Sequence, residues 1–290
     1  MRALYDVAAP AKLNLFLHIT GRRDDGYHLL QSAFMLLDWH DSLHFELRPA
    51  GGLSREDLGP ALPDEDLTLR AARALQQATG CTAGAHIQVM KRVPAEAGMG
   101  GGSSDAASCL LALNRLWGLG LPGPALEAIG LKLGADVPFF LRGRNAWVEG
   151  IGERIRPISL PAARFIVVKP PRGLSTADIF RHPALQRDST AATIAGFAAD
   201  PWGFGHNSLE PVARQLNPQV GEALEFLARQ GLRARMTGSG SAVFALLPPE
   251  NVPAQVPARW AQEGWVVREC GNMEVHPLVG WASSDDSVDS

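Results

Sequence analysis

Hydrophobic and polar positions along the chain switch between two periods, and the switches mark the elements. In residues 11–19, Leu13, Leu15, Leu17 and Ile19 alternate with Lys12, Asn14, Phe16 and His18. That is a strand with one apolar face and a second face that carries Lys12 and Asn14 together. Leu43, Phe45 and Leu47 alternate with His44 and Glu46, which predicts a second half-buried strand. Residues 49–63, punctuated by Pro49, Gly51, Gly52, Gly59, Pro60 and Pro63, predict an irregular connection. A helix follows, capped by Asp64 or Asp66, with Leu67, Leu69, Ala71, Ala72, Leu75 and Ala78 on its apolar side and Gly80 at its end. Ile87 and Val89 predict a strand; Ala106, Ala107, Leu110, Leu111, Leu113, Asn114 and Trp117 recur at a helix's period. A short helix is expected from residue 125 to about 133.

The stretch between that strand and that helix carries the first chemistry. It reads Pro94, Ala95, Glu96, Ala97, Gly98, Met99, Gly100, Gly101, Gly102, Ser103, Ser104. The glycines let the backbone take positive φ and approach a ligand closely. Ser103, Ser104 and Asp105 can cap the helix behind, whose unpaired N–H groups and positive dipole end favour a phosphate. A P-loop is excluded, since no lysine lies between Lys91 and Lys132, and a dinucleotide fingerprint lacks its third glycine at Ser103. Asp136 stands two residues before Pro138, where an acidic side chain either caps a helix start or is left for other work.

The second half has a different rhythm. Strands are expected at 165–168, 233–236, 243–247 and 265–270, with one helix opened by Asn217-Pro218 and closed by Gly231 and another over 253–263. Strand, helix, strand, strand, helix, strand is the split βαβ order of a ferredoxin-like α+β domain. We therefore expect domains at 1–155 and 156–282, and a disordered acidic tail at 283–290. A net charge of -3 over 290 residues offers no broad basic surface for nucleic acid, and no apolar run is long enough to span a bilayer. Cys81, Cys109 and Cys270 form neither a disulfide framework nor a zinc motif, which suits the reducing cytoplasm.

Four motifs, in order, resemble those of the GHMP small-molecule kinases. They are Pro10-Ala-Lys-Leu-Asn14 with Asp25-Gly-Tyr-His28, the glycine loop with Met99 in place of leucine, Gly134-Ala-Asp-Val-Pro-Phe139, and Met236-Thr-Gly-Ser-Gly-Ser-Ala-Val-Phe244. The resemblance implies an α+β, two-domain fold, with a ribosomal-S5-domain-2-like N-terminal domain, a ferredoxin-like C-terminal domain and the active cleft between them. It implies ATP held by residues 94–104 and phosphoryl transfer to a cytidine diphosphate sugar-alcohol, with Asp136 as base and Lys12 beside the γ-phosphate. Asn14, Tyr27, His28, Asp136 and Phe180 would contact the acceptor, and Thr237, Gly238, Ser239 and Gly240 would support the loop. A flat base needs an aromatic face and a polar edge, which Tyr, Phe and His supply. Magnesium is expected with ATP, but no acidic cluster marks its ligands; the oligomeric state stays open. Asp66 stands where the family commonly has an asparagine facing the nucleotide base, and Ser208 replaces an aspartate in Asn207-Ser-Leu-Glu210. The alternatives are a homoserine-type or mevalonate-type kinase, or a non-catalytic nucleotide-binding regulator on the same fold.

Overall fold

The computed structural model describes residues 2–49, 51–248 and 256–283. The alternation read at 11–19 is the middle of a long strand, β1 (Ala3–Arg22), which turns and returns as β2 (His28–Arg48). Their antiparallel register shifts four times, including between Asn14 and Leu17. A one-residue shift exchanges the faces of a strand. The expected two-face division is therefore not kept: Leu13, Leu15 and Phe16 pack into one buried cluster, and Leu17 and Ile19 into another. β2 was legible only near its end because Ala33, Phe34, Met35, Leu36 and Leu37 are buried on both faces and show no alternation.

The connection expected to be irregular contains β3 (Leu53–Asp57), a strand that pairs in parallel with β4 (Gly84–Met90) at the sheet edge. Its neighbouring glycines and prolines hid it. Between them, α1 (Leu67–Thr79) starts at Asp66, whose carboxylate accepts from Thr68 N and Leu69 N, and stops at Gly80 in the left-handed region. Next come α2 (Gly101–Leu116), α3 (Gly123–Leu131) and α4 (Val137–Arg142), then β5 (Ala146–Gly150) and β6 (Arg154–Pro157), a hairpin that spans the division expected at residue 155. α1, α2 and α3 bury their apolar sides on one face of the sheet with Leu36, Phe45, Ile87 and Val89.

In the second half, β7 (Arg164–Lys169) leads through α5 (Thr176–Arg181), α6 (Ile194–Ala199) and α7 (Glu210–Leu216) to α8 (Pro218–Arg229). β8 (Ala234–Met236), β9 (Val243–Leu246), α9 (Ala258–Gln262) and β10 (Val266–Met273) complete it. Strand order β10-β7-β9-β8, antiparallel throughout, is the split βαβ arrangement read from the sequence. The part of the second expected helix at 253–255 lies outside the described residues. β10 also pairs with β2 through Asn272 and Met273, so the two halves share a continuous sheet with β2 as its spine. Of the tail, Ser283 is bridged to Pro122 and donates to the Gly120 carbonyl at 3.0 Å; 284–290 lie outside the described residues. Among the described residues no helix is long and apolar enough to cross a membrane.

Candidate active site

The glycine loop differs from expectation in one respect. Helix α2 begins at Gly101, directly after Gly100 (φ +70°), and has no side-chain cap. Ser103 and Ser104 lie within its first turn and Asp105 just beyond it, and none of the three caps it. Within the loop positive φ is taken by Glu96, Gly98 and Gly100, and the reversal at Gly100 stands directly before the helix start. The first helical bond runs from Ser104 N to the Gly100 carbonyl, 2.9 Å, leaving the N–H groups of Gly101, Gly102 and Ser103 without helical acceptors. All three residues line a cleft of about 1010 Å³. Ser104 is fully buried behind it.

The loop is held by backbone on both sides. Lys12 N donates to Met99 O at 2.9 Å, Ser241 N to Glu96 O at 3.0 Å and Ala242 N to Ala97 O at 3.2 Å. Gly98 lies so close to the turn after β8 that a Cβ there would stand 2.2 Å from Thr237 O; one on Gly238 would meet Gly98 O at 2.6 Å. Asn207 fixes that turn from below, its Nδ2 donating to the carbonyls of Met236 and Gly238 at 2.8 Å each.

Lys12 is 3% exposed. Its Nζ donates to Gly98 O at 3.0 Å and to Asn14 Oδ1, lies 4.9 Å from the centre of the Phe34 ring, and stands 3.6 Å from Asp136 Oδ2. Burial pulls the lysine's pKa below its ordinary value, and the Asp136 carboxylate opposes that fall. Asp136 occupies the N-cap position of α4 without making a cap hydrogen bond, so the capping alternative is overturned and the carboxylate stays available to the cleft. Asn14 is buried, with Oδ1 taken by Lys12 and Nδ2 donating to Ser32 Oγ at 2.9 Å; its amide is a partner of the lysine.

Also lining the cleft, Tyr27 is 60% exposed and so is no core aromatic, while His28 and Phe180 are half-buried with ring centroids 5.1 Å apart. α5, which carries Phe180, is capped by Ser175 Oγ. One cleft thus brings together Pro94 through Ser103, Lys12, Asn14, Asp136, Tyr27, His28, Phe180 and Gly238 to Gly240, with Thr237 buried behind its wall.

Two features of the site were not foreseen. Lys91, named above only in excluding a P-loop, reaches under the start of α2, where it pairs with Asp105 Oδ2 at 2.6 Å and with Asp41 Oδ2. Burial pushes the Asp105 carboxyl up to about 7; Lys91 opposes the rise and Asp41 adds to it. Fifty residues separate Asp41 from Lys91, so no local pattern could signal the pair. The second is Arg55, which pairs with Asp66 at 2.8 Å and with Asp57 at 2.7 Å. The Asp66 carboxylate lines the cleft while bound to Arg55 and its own helix. Ser208 is satisfied as it stands, accepting from Ile19 N at 3.2 Å and bonding Ser189 Oγ at 2.9 Å.

A helix N-terminus behind a glycine loop, with a lysine and a carboxylate at its mouth, defines a class of small-molecule phosphotransferase. Residues 66–144 match the GHMP kinases N terminal domain and residues 184–266 the GHMP kinases C terminal, and the chain belongs to the GHMP kinase family, with its α+β, two-domain fold. Its place within the family is with the 4-diphosphocytidyl-2-C-methyl-D-erythritol kinases. The protein of that name from Paracidovorax citrulli is 62% identical over 290 residues, spanning 99% of this chain and 100% of that one. A crystal structure of 4-(cytidine 5'-diphospho)-2C-methyl-D-erythritol kinase is 35% identical with a TM-score of 0.73, covering 91% of this chain and 98% of the other. Homoserine kinase from Cytophaga hutchinsonii, 15% identical with a TM-score of 0.66 over 95% and 96% of the two chains, shares the fold alone.

Proposed function

We propose that this protein phosphorylates the 2-hydroxyl of 4-diphosphocytidyl-2-C-methyl-D-erythritol with ATP, a step of the non-mevalonate isoprenoid pathway. The observation that carries the reading is the shared cleft, which is lined alike by the Lys12–Asp136 pair, the phosphate loop and the Tyr27, His28 and Phe180 group. The part of the chain to about residue 155 supplies the loop and the pair, and the remainder forms the opposite wall.

Phosphoryl transfer asks mainly for in-line placement and neutralised charge. The N–H groups of Gly101, Gly102 and Ser103 would hold the nucleotide's phosphates. Asp136 would take the proton from the acceptor hydroxyl as that oxygen bonds to the γ-phosphorus and the bond to the β-phosphate oxygen breaks. Lys12, fixed by Gly98 O and Asn14, would offset charge on the transferred group. Magnesium, expected with the nucleotide, would supply neutralisation of phosphate charge when bound. Ser103 and Asp136 line the cleft and can each offer it an oxygen, while among the described residues no group of three or more His, Cys, Asp or Glu is arranged to hold a metal. The protein is read as cytoplasmic, with a small-molecule partner.

The test is ADP release from ATP and magnesium with four acceptors: the cytidine-bearing substrate, the same alcohol without cytidine, homoserine and mevalonate. Turnover confined to the first is expected. Turnover with another alcohol would refute the substrate, and ATP binding without turnover on any acceptor would favour a regulator.

A further inference from the structure

His28 is held from outside the cleft by a residue that none of the motifs contains. Arg187 lies in the connection between α5 and α6, and its guanidinium is anchored by three backbone carbonyls: Nη1 donates to Leu185 O at 2.8 Å, and Nη2 to His182 O at 3.2 Å and Phe180 O at 3.4 Å. Anchored so, it aims Nε–H at His28 Nε2, 2.9 Å away. A guanidinium keeps its protons in a protein, so Nε can only donate and His28 Nε2 can only accept. A neutral imidazole with a lone pair on Nε2 carries its proton on Nδ1. Protonating Nε2 would set two N–H groups against each other.

We propose that Arg187 is a positioning residue that fixes the neutral, Nδ1-protonated tautomer of His28, so that the ring offers a donor to the base bound in the cleft. The inference deepens, and rests for its substrate on, the cytidine reading given above. A fixed donor selects a base edge that presents an acceptor. Cytosine does so at its ring N3, where uracil presents N–H, so the same contact separates the two bases. A donor facing a donor leaves both unpaired, a discrimination that apolar packing alone cannot reach. Because Arg187 also binds the Phe180 carbonyl, it sets the histidine and the aromatic ring in one frame. The charges facing His28 act the same way: with burial, Arg187 and Arg22 lower its pKa, while Asp25 and Arg181 border the same hollow. The ring therefore stays neutral at pH values where an ordinary histidine begins to charge.

The experiment uses the full chain with nitrogen-labelled histidine. Ring-nitrogen NMR at pH 7.5 is expected to show His28 Nδ1 protonated and Nε2 bare in the wild type, and a loss of that pattern in Arg187→Met. Arg187→Lys, which can still only donate, should restore it in part. In turnover assays Arg187→Met should raise KM for the cytidine-bearing substrate about tenfold or more, with kcat and KM for ATP within about twofold, since tenfold is about 1.4 kcal/mol of lost recognition. That rise should shrink between pH 7.5 and pH 6, because the freed ring charges earlier and an imidazolium again carries a proton on Nδ1. A wild-type His28 protonated on Nε2, or a tautomer unmoved by Arg187→Met, would overturn the proposal. A shifted tautomer with unchanged substrate KM would overturn its link to base recognition. Since the spectra need no substrate, a wrong acceptor assignment would show instead as absent wild-type turnover.

Discussion

Gly98→Ala should damage this protein far more than Gly102→Ala, although the two glycines stand four residues apart in one loop. At Gly98 φ is +69°, where an L side chain costs about 1–2 kcal/mol. The new Cβ would also lie 2.2 Å from Thr237 O and 2.8 Å from Gly240 N. Both are backbone atoms, so the loop itself must retreat by roughly 1 Å to reach ordinary contact distance. The Gly98 carbonyl then leaves the Lys12 ammonium, now 3.0 Å away, and a hydrogen bond to a charged group is worth about 1.5–3 kcal/mol. Together these predict a loss of about 3–5 kcal/mol, a large part of the 5–15 kcal/mol that holds a typical domain. A displacement of about 1 Å beside the reacting groups should also lower kcat about 10²-fold. Gly102 is helical, and its added Cβ would meet only Leu67 Cδ1, at 3.4 Å. There alanine should be neutral or stabilise the helix by up to about 1 kcal/mol. Urea unfolding of both variants, with kcat at saturating ATP for Gly98→Ala, measures the contrast. A Gly98→Ala protein with the wild-type midpoint, or a Gly102→Ala protein that loses as much, would refute the account of why the loop needs its glycines.

Asp136→Asn should lower kcat by about 10²–10⁴-fold with both KM values little changed, and steady-state kinetics retaining near wild-type kcat would remove Asp136 from the reaction. Lys12→Ala should do the same and also weaken ATP, and by leaving Asn14 Oδ1 without its lysine donor and Gly98 O with only the longer bond from Thr237 Oγ1 it should cost about 1–3 kcal/mol of stability in denaturant. At Gly101 a Cβ points inward, 3.2 Å from Val93 Cγ1 and 3.4 Å from Lys91 Nζ, so Gly101→Val should lower ATP affinity by shifting the start of α2; calorimetric titration with unchanged affinity would contradict this. Asp105 gives a pH prediction. Its folded pKa, about 7, lies above the ordinary 3.8, so the stability it contributes is complete below pH 4 and lost as pH rises through 7. The wild type should therefore weaken relative to Asp105→Asn between pH 4 and 7, by up to about 4 kcal/mol, and then run parallel to it. Equal slopes for the two proteins in that window would show that Asp105 ionises freely.

What could be read from the sequence was whatever a residue shares with its near neighbours. Strand β4, helix α2 and the glycines between them sit within 33 residues, and their order alone announced an anion site. The split βαβ order of the second half was legible for the same reason, since each element carries its own period. Bulges defeated the reading of β1, because a strand that changes faces cannot be divided by alternation. Burial on both sides hid most of β2. The site's supports were illegible in another way: Lys91 meets Asp41 and Asp105, Asn207 holds Met236 and Gly238, and Arg187 meets His28 across 159 residues. Each such pair consists of ordinary polar residues with no spacing rule between them, and each becomes consequential only once the sheet has set them side by side. Phe180 apart, the groups proposed to touch the substrates lie in motifs, whereas the groups that fix their charge, tautomer and approach are distributed through the fold. A chain that kept the four motifs while losing Arg187 or Lys91 would still read as the same kinase, yet it would present His28 or the phosphate loop differently. Its specificity could not be inferred from the motifs.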